Sequence, residues 1–198
     1  MIEHDLPSEC GDVSDAMFMR LAIEQARVAA SIGEVPIGAV VVCENEVVAT
    51  GYNRREIDTD PSAHAEFTAL VEASRRLGRW RLTGCTVYVT LEPCLMCAGL
   101  MQLSRVDRCV FGAFDPKGGA LGTLYEIHRD ERLNHRFEVS AGICEQECSA
   151  LLSEFFAQLR GGRRGDDGRR GGDGGRGSES EVAGPASEGN ASEKGATP

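Results

Sequence analysis

The 198-residue sequence has no apolar run long enough to span a bilayer; its longest, "VPIGAVVVC", is too short. Its opening residues, "MIEHDLPSEC", lack the apolar core of a secretory leader, so a cytoplasmic protein with no membrane association is expected. Without export, the 8 cysteines are expected as reduced thiols or metal ligands rather than disulfides. A surplus of positive charge is missing as well. The formal net charge is −10, with four acids and no Lys or Arg in residues 1–12 and about −5 left on residues 13–160. Any nucleic-acid contact must therefore use a local basic patch rather than the field of the whole chain. No internal repeat is present.

Large apolar residues nearly vanish after Arg160. The segment 161–198 is built from Gly, Arg, Ser, Asp and Glu with a single valine, too little apolar surface to offset the cost of ordering a backbone. The expected organisation is an acidic extension over 1–12, one domain over 13–160 and a disordered tail over 161–198.

Within the domain, "SDAMFMRLAIEQARVAAS" has helical periodicity, with Ser14 placed as its N-cap. "GAVVVC" and "VVATGY" read as strands joined by the turn Glu44-Asn45-Glu46, a hairpin. A helix is expected from about Ala63 to Leu77, then the strand "TVYVTL", a helix from Cys94 to about Leu103 and the strand "RCVFGA". A Gly-rich irregular stretch precedes a short strand near "FEVSAG", and "CEQECSALLSEFFAQLR" closes as an amphipathic helix. A hairpin followed by strands alternating with helices predicts an α/β fold, a mixed sheet between helix layers.

Two short stretches carry chemistry. In "TLEPCLMCAG", Cys94 and Cys97 stand three apart at a helix start, so both sulfurs can reach one ion, and thiolates favour zinc over hard cations. C-x-x-C alone also fits a redox pair or half of a zinc ribbon. In "PSAHAEFTAL", His64 and Glu66 lie two apart. On a wheel of about 100° per residue, Glu66 leans toward the arc of Phe67, Leu70 and Leu77, where an unpaired carboxylate is costly. Thr68, Glu72, Arg75 and Arg76 form the opposite, solvent face. One His, two Cys and a non-ligand Glu fit a catalytic zinc site with an open position. A closed structural site would need a fourth ligand, for which Cys144 and Cys148 are the nearest candidates. Cys10, Cys43, Cys85 and Cys109 read as small apolar fillers or exposed thiols. His64 and Glu66 can serve one site only if the metal lies ahead of the helix N-terminus, not beside the helix.

H-x-E followed by P-C-x-x-C, here His64-Ala65-Glu66 and Pro93-Cys94-Leu95-Met96-Cys97, resembles the signature of zinc-dependent nucleoside and nucleobase deaminases. "EVPIGAVVV", "GYNR", "DPSAHAEFTAL", "VYVTLEPCLMCAG", "FGAFDPKGGALGTL" and "NHRFEVSAGI" extend the likeness to the bacterial tRNA-specific adenosine deaminases, over about Met17 to Phe156. The resemblance implies a three-layer cytidine-deaminase-like fold with a mixed five-stranded sheet, working as a homodimer with one Zn2+ per subunit. It implies His64, Cys94 and Cys97 as metal ligands and Glu66 as the proton-transferring catalytic group. It further implies Asn53 against the target base, with Asn134, Lys117 and Asp115 near the RNA. The expected reaction is hydrolysis of adenosine to inosine at wobble position 34 of a tRNA anticodon stem-loop, an arginine tRNA, with release of ammonia. Ala157 stands where the family commonly has an arginine, which bears on RNA contact and not on chemistry. Two other readings compete: a deaminase of guanine, cytosine or a free nucleoside, and a non-catalytic zinc-stabilised RNA-binding module. Glu66 speaks against the last, since structure alone does not require it.

Overall fold

Glu44 and Asn45 both adopt positive φ, 52° and 63°, the backbone of a two-residue hairpin turn whose twist matches its strands. They join β1 (Gly38–Cys43) to β2 (Glu46–Tyr52) in an antiparallel pair with a bulge at Val41/Val42. Glu46, expected in the turn, already belongs to β2. The computed structural model describes residues 13–166, so the extension 1–12 and the tail from 167 onward lie outside the described residues. β3 (Cys85–Leu91) pairs antiparallel with β1, then β4 (Arg108–Ala113) and β5 (Glu138–Ala141) add in parallel. The five-stranded order is β2-β1-β3-β4-β5.

Side chains alternate across this sheet and sort the helices into two layers. Ala39, Val41, Val87, Val89, Cys109 and Phe111 meet α2 (Ala65–Leu77) and α3 (Leu95–Ser104) on one face. Val40, Val42, Tyr88 and Val110 meet α1 (Val13–Ser31) and α4 (Glu145–Asp166) on the other. This is the three-layer arrangement expected.

Ser14 is inside the first turn of α1, not its cap; its neighbour Asp15 is buried and accepts from Tyr88 Oη at 2.8 Å and from Arg108 at 2.7 and 2.9 Å. α4 runs six residues past the expected boundary at Arg160. A helix already propagating crosses Gly161-Gly162 at a cost of about 1 kcal/mol per glycine.

Strand direction fixes where a site can form. β2, β3 and β4 all point the same way, so Tyr52, Leu91 and Ala113 end at one edge of the sheet. The connections into α2 and α3 leave from that edge, where open α/β sheets place ligands. Gly51 lets α2 sit close over β2: a Cβ there would strike the Ala65 carbonyl.

Candidate metal centre

His64 is the N-cap of α2 and Cys94 the N-cap of α3. Both have extended backbones, and neither side chain caps its own helix. Instead the two side chains turn toward each other across the sheet edge. Cys97, in the first turn of α3, is fully buried beside them. His64 Nδ1 lies 3.7 Å from Cys94 Sγ and 3.6 Å from Cys97 Sγ, and the three ligand atoms are mutually within 4.8 Å. Ordinary Zn–N and Zn–S bonds in a tetrahedron would put nitrogen and sulfur about 3.5 Å apart. One borderline and two soft donors at that spacing fit zinc, and the donor atoms gather at the N-termini of both helices, where the spacing of His64 and Glu66 led the site to be expected.

The electrostatics of the cluster are those of a shared proton. Hydrogen bonding from Cys97, then from His64, pulls the Cys94 thiol down to about 3. The Cys97 thiol, bonded to Cys94 and buried, moves the opposite way, and His64 is pushed up chiefly by its bond to Cys94. The opposed shifts favour negative charge on Cys94, and binding a metal requires both thiols to give up their protons. Both helix dipoles direct their positive ends at this charge. Glu66, in the first turn of α2, is buried (4% exposed), and burial pushes its carboxyl up. Its carboxyl interacts with Cys97 and His64, so it stands next to the ligand set without belonging to it.

Asn53 follows β2 and is buried. The next residue, Arg54, donates its N–H to the Ala63 carbonyl at 3.0 Å, which brings Asn53 beside the ligand-bearing segment. Asp115 and Lys117 lie in the loop after β4: Asp115 Oδ1 accepts from the Lys117 N–H at 2.9 Å, and Lys117 is exposed. That loop is tied to the ligand segment by an Ala120 N–H to Pro93 carbonyl bond of 2.9 Å and a bridge between Cys94 and Gly119. Asn134 is not brought to the ligands. Its Oδ1 accepts from Gln102 at 2.7 Å and Arg105 at 2.8 Å, at the far end of α3, roughly 16 Å of helix from Cys94. Cys144 and Cys148 are no fourth ligand: Cys148 packs with the α1/α4 layer, on the opposite face of the sheet.

Two buried glutamates escaped the sequence reading. Glu34, after α1, accepts from Asn53 Nδ2 at 2.9 Å and from the Ile57 N–H at 2.7 Å. Glu92, two residues before Cys94, accepts from the N–H groups of Asp115, Leu121 and Thr123 at 3.0–3.1 Å and from the Thr123 hydroxyl. The only trace of either in the sequence is an acid set within an apolar stretch, "EVPIG" and "VTLEPC".

A mixed sheet flanked by helices, with an imidazole, two thiols and a spare buried carboxyl at paired helix starts, defines the class of zinc-binding deaminases. Residues 12–113 match the family described as the cytidine and deoxycytidylate deaminase zinc-binding region. The chain is 53% identical over 146 residues to the tRNA-specific adenosine deaminase of Bacillus subtilis, covering 74% of this chain and 91% of that protein. It is 44% identical to the Haemophilus influenzae protein of the same name, over 74% and 85% of the two chains. A solved structure from work on A-to-I editing by tRNA:A34 deaminases aligns with TM-score 0.66 and 41% identity, over 69% of this chain and 99% of that one. A guanine deaminase from Nitrosomonas europaea aligns with TM-score 0.61 and 26% identity, over 77% and 89%. The chain belongs to the zinc-binding deaminases and, within them, to the family of tRNA-specific adenosine deaminases.

Proposed function

We propose that the protein hydrolyses adenosine to inosine at wobble position 34 of a tRNA anticodon and releases ammonia. The observation that carries this reading is the pairing of His64, Cys94 and Cys97 with the buried, non-ligand Glu66, in a chain 53% identical to a tRNA-specific adenosine deaminase. His64, Cys94 and Cys97 hold one zinc ion. Zinc in such a site supplies Lewis-acid activation of water near neutral pH. Glu66 handles the protons: it accepts one from the attacking water and delivers protons to N1 of the ring and to the departing amine. Oxygen is added at C6, the C6–N6 bond breaks, and the nitrogen leaves as ammonia. Burial of Glu66 keeps bulk water from competing for those protons. Asn53 contacts the target base from the end of β2. Asp115 and Lys117 approach the flanking RNA, and Asn134 serves a more distant RNA contact. A loop nucleotide is splayed into the site without the cost of opening a duplex.

The substrate is an arginine tRNA, as the family resemblance implies. The protein works as a homodimer, which the outer face of α3 supports: Leu95, Met96 and Leu103 are exposed there, a large apolar share for one surface helix. It acts in the cytoplasm, where thiols stay reduced for metal binding; among the described residues no helix is long and apolar enough to cross a membrane. The decisive experiment incubates the purified protein with an anticodon stem-loop carrying A34, and separately with free adenosine, cytidine and guanine. Inosine in the RNA alone is the expected result; turnover of a free base beside inert RNA would replace this reading with a small-molecule deaminase.

A further inference from the structure

Glu34 is 1% exposed, and its backbone is fixed before its side chain is used. Gly33 takes a left-handed conformation (φ 84°) after α1, and the Glu34 N–H returns to the Ala29 carbonyl at 3.0 Å, a helix-terminating bond. The carboxylate then reaches under the connection between β2 and α2. Oε1 accepts from the Ile57 N–H and Oε2 from Asn53 Nδ2. Both carboxylate oxygens act as acceptors, so the Asn53 amide is held in one orientation: Nδ2 faces Glu34, and Oδ1 takes the other branch. The Asn53 backbone is held as well, its N–H donating to the Ile37 carbonyl at 3.0 Å.

We infer that Glu34 is a positioning residue for the substrate base, setting which way round the Asn53 amide meets the adenine. The inference rests on the reading above that Asn53 contacts the base. Adenine presents an acceptor, N7, beside a donor, the N6 amine, and an amide reads that pair with an N–H and its carbonyl in one sense only. An amide free to turn over would spend part of its time presenting donor to donor and acceptor to acceptor. Glu34 removes that freedom from behind, with no contact to the substrate itself.

Glu34→Gln is the direct test. Glutamine keeps the volume and one carbonyl oxygen for Ile57, but presents an NH2 to Asn53, whose amide must then turn over. The expected result is a fall in kcat/KM for the A34 stem-loop of about 10- to 100-fold, the weight of one or two hydrogen bonds. Zinc content and melting temperature should stay near wild type. Asn53→Ala should lose a similar factor, and Glu34→Gln added to Asn53→Ala should lose nothing more, because there is no amide left to orient. An undiminished effect of Glu34→Gln in the Asn53→Ala background would overturn the inference and leave the role of Asn53 standing; Glu34 would then act only on the Ile57 turn. Wild-type kcat/KM in Glu34→Gln would overturn it likewise. A fully active Asn53→Ala would remove the base-contact reading and this inference with it. Should Glu34→Gln fail to fold, Glu34→Asp supplies the same cycle: one methylene shorter, it loosens the hold on the Asn53 amide, and its loss in kcat/KM should vanish in the Asn53→Ala background, a loss that persists there overturning the inference.

Discussion

Glu66 and Glu92 are the same residue type, at the same edge of the same sheet, and almost equally hidden at 4% and 2% exposure. Their surroundings drive them apart. Burial pushes the Glu66 carboxyl up. Burial acts on Glu92 in the same sense, but the Thr123 hydroxyl and the N–H groups of Thr123, Asp115 and Leu121 outweigh it and hold that carboxyl below its ordinary range. Glu92 spends its acceptors on the protein, and its charge is a structural fixture. Glu66 stands beside three metal-ligand atoms with its proton affinity raised, the condition of a group kept for work. Burial alone does not mark chemistry; a raised proton affinity beside a set of ligand atoms does.

The largest way to test that contrast is to neutralise each carboxylate in turn. Glu66→Gln should lower turnover by about 10²- to 10⁴-fold or more, the usual weight of a proton-transfer group. It should keep about one zinc per chain, measured by elemental analysis, because Glu66 is not a ligand. Loss of zinc along with activity would show that Glu66 belongs to the metal shell. Glu92→Ala should do the reverse. It orphans three N–H donors in the 113–123 loop and is expected to cost about 3 kcal/mol or more in urea unfolding, while the folded fraction still deaminates. If the alanine variant keeps wild-type stability but loses activity, Glu92 is no fixture.

Gly119 gives a smaller, steric version of the same test. A Cβ at Gly119 would strike the Glu92 carboxylate. A flexible side chain would normally give way, but this one is pinned by its four hydrogen bonds. Gly119→Ala is therefore expected to destabilise by about 1–3 kcal/mol, in the range of overpacking. The cost should largely disappear in a Glu92→Ala background, where the obstacle is gone; equal cost in both backgrounds would place the strain elsewhere.

The two glutamates also explain how much could be read without coordinates. His64, Glu66, Cys94 and Cys97 were legible because side-chain identity and spacing carry a metal site, and only a position ahead of two helix starts satisfies both spacings. The strands and helices were legible from periodicity, with errors confined to ends such as Ser14, Glu46 and Gly161, where hydrogen bonds rather than patterns decide. Glu92 was not, since its partners are mostly backbone N–H groups, which every residue but proline owns. Glu34 was not, since its partner Asn53 is 19 positions away and joins it only when β2 is laid beside β1. Asn134 was expected near the RNA from the family resemblance alone, and its oxygen is held by Gln102 and Arg105 at the far end of α3.

The mildest test uses pH. Because the folded Glu92 carboxyl titrates below its ordinary value of 4.5, the native state binds fewer protons than the unfolded chain between the two values. Stability from this group is fully present above the unfolded value, and it is lost as pH falls through the folded one. Glu92→Gln removes the titration while keeping one carbonyl acceptor. Its unfolding free energy should therefore fall less steeply than wild type as pH is lowered through about 4.5 and beyond. The two proteins should differ most above that window and converge below it, where wild-type Glu92 is itself protonated and resembles its amide. Urea unfolding followed by circular dichroism at a series of acid pH values measures the gap directly. A gap that widens on acidification would mean that the loop hydrogen bonds prefer the neutral carboxyl, and Glu92 would then stand with Glu66 rather than against it.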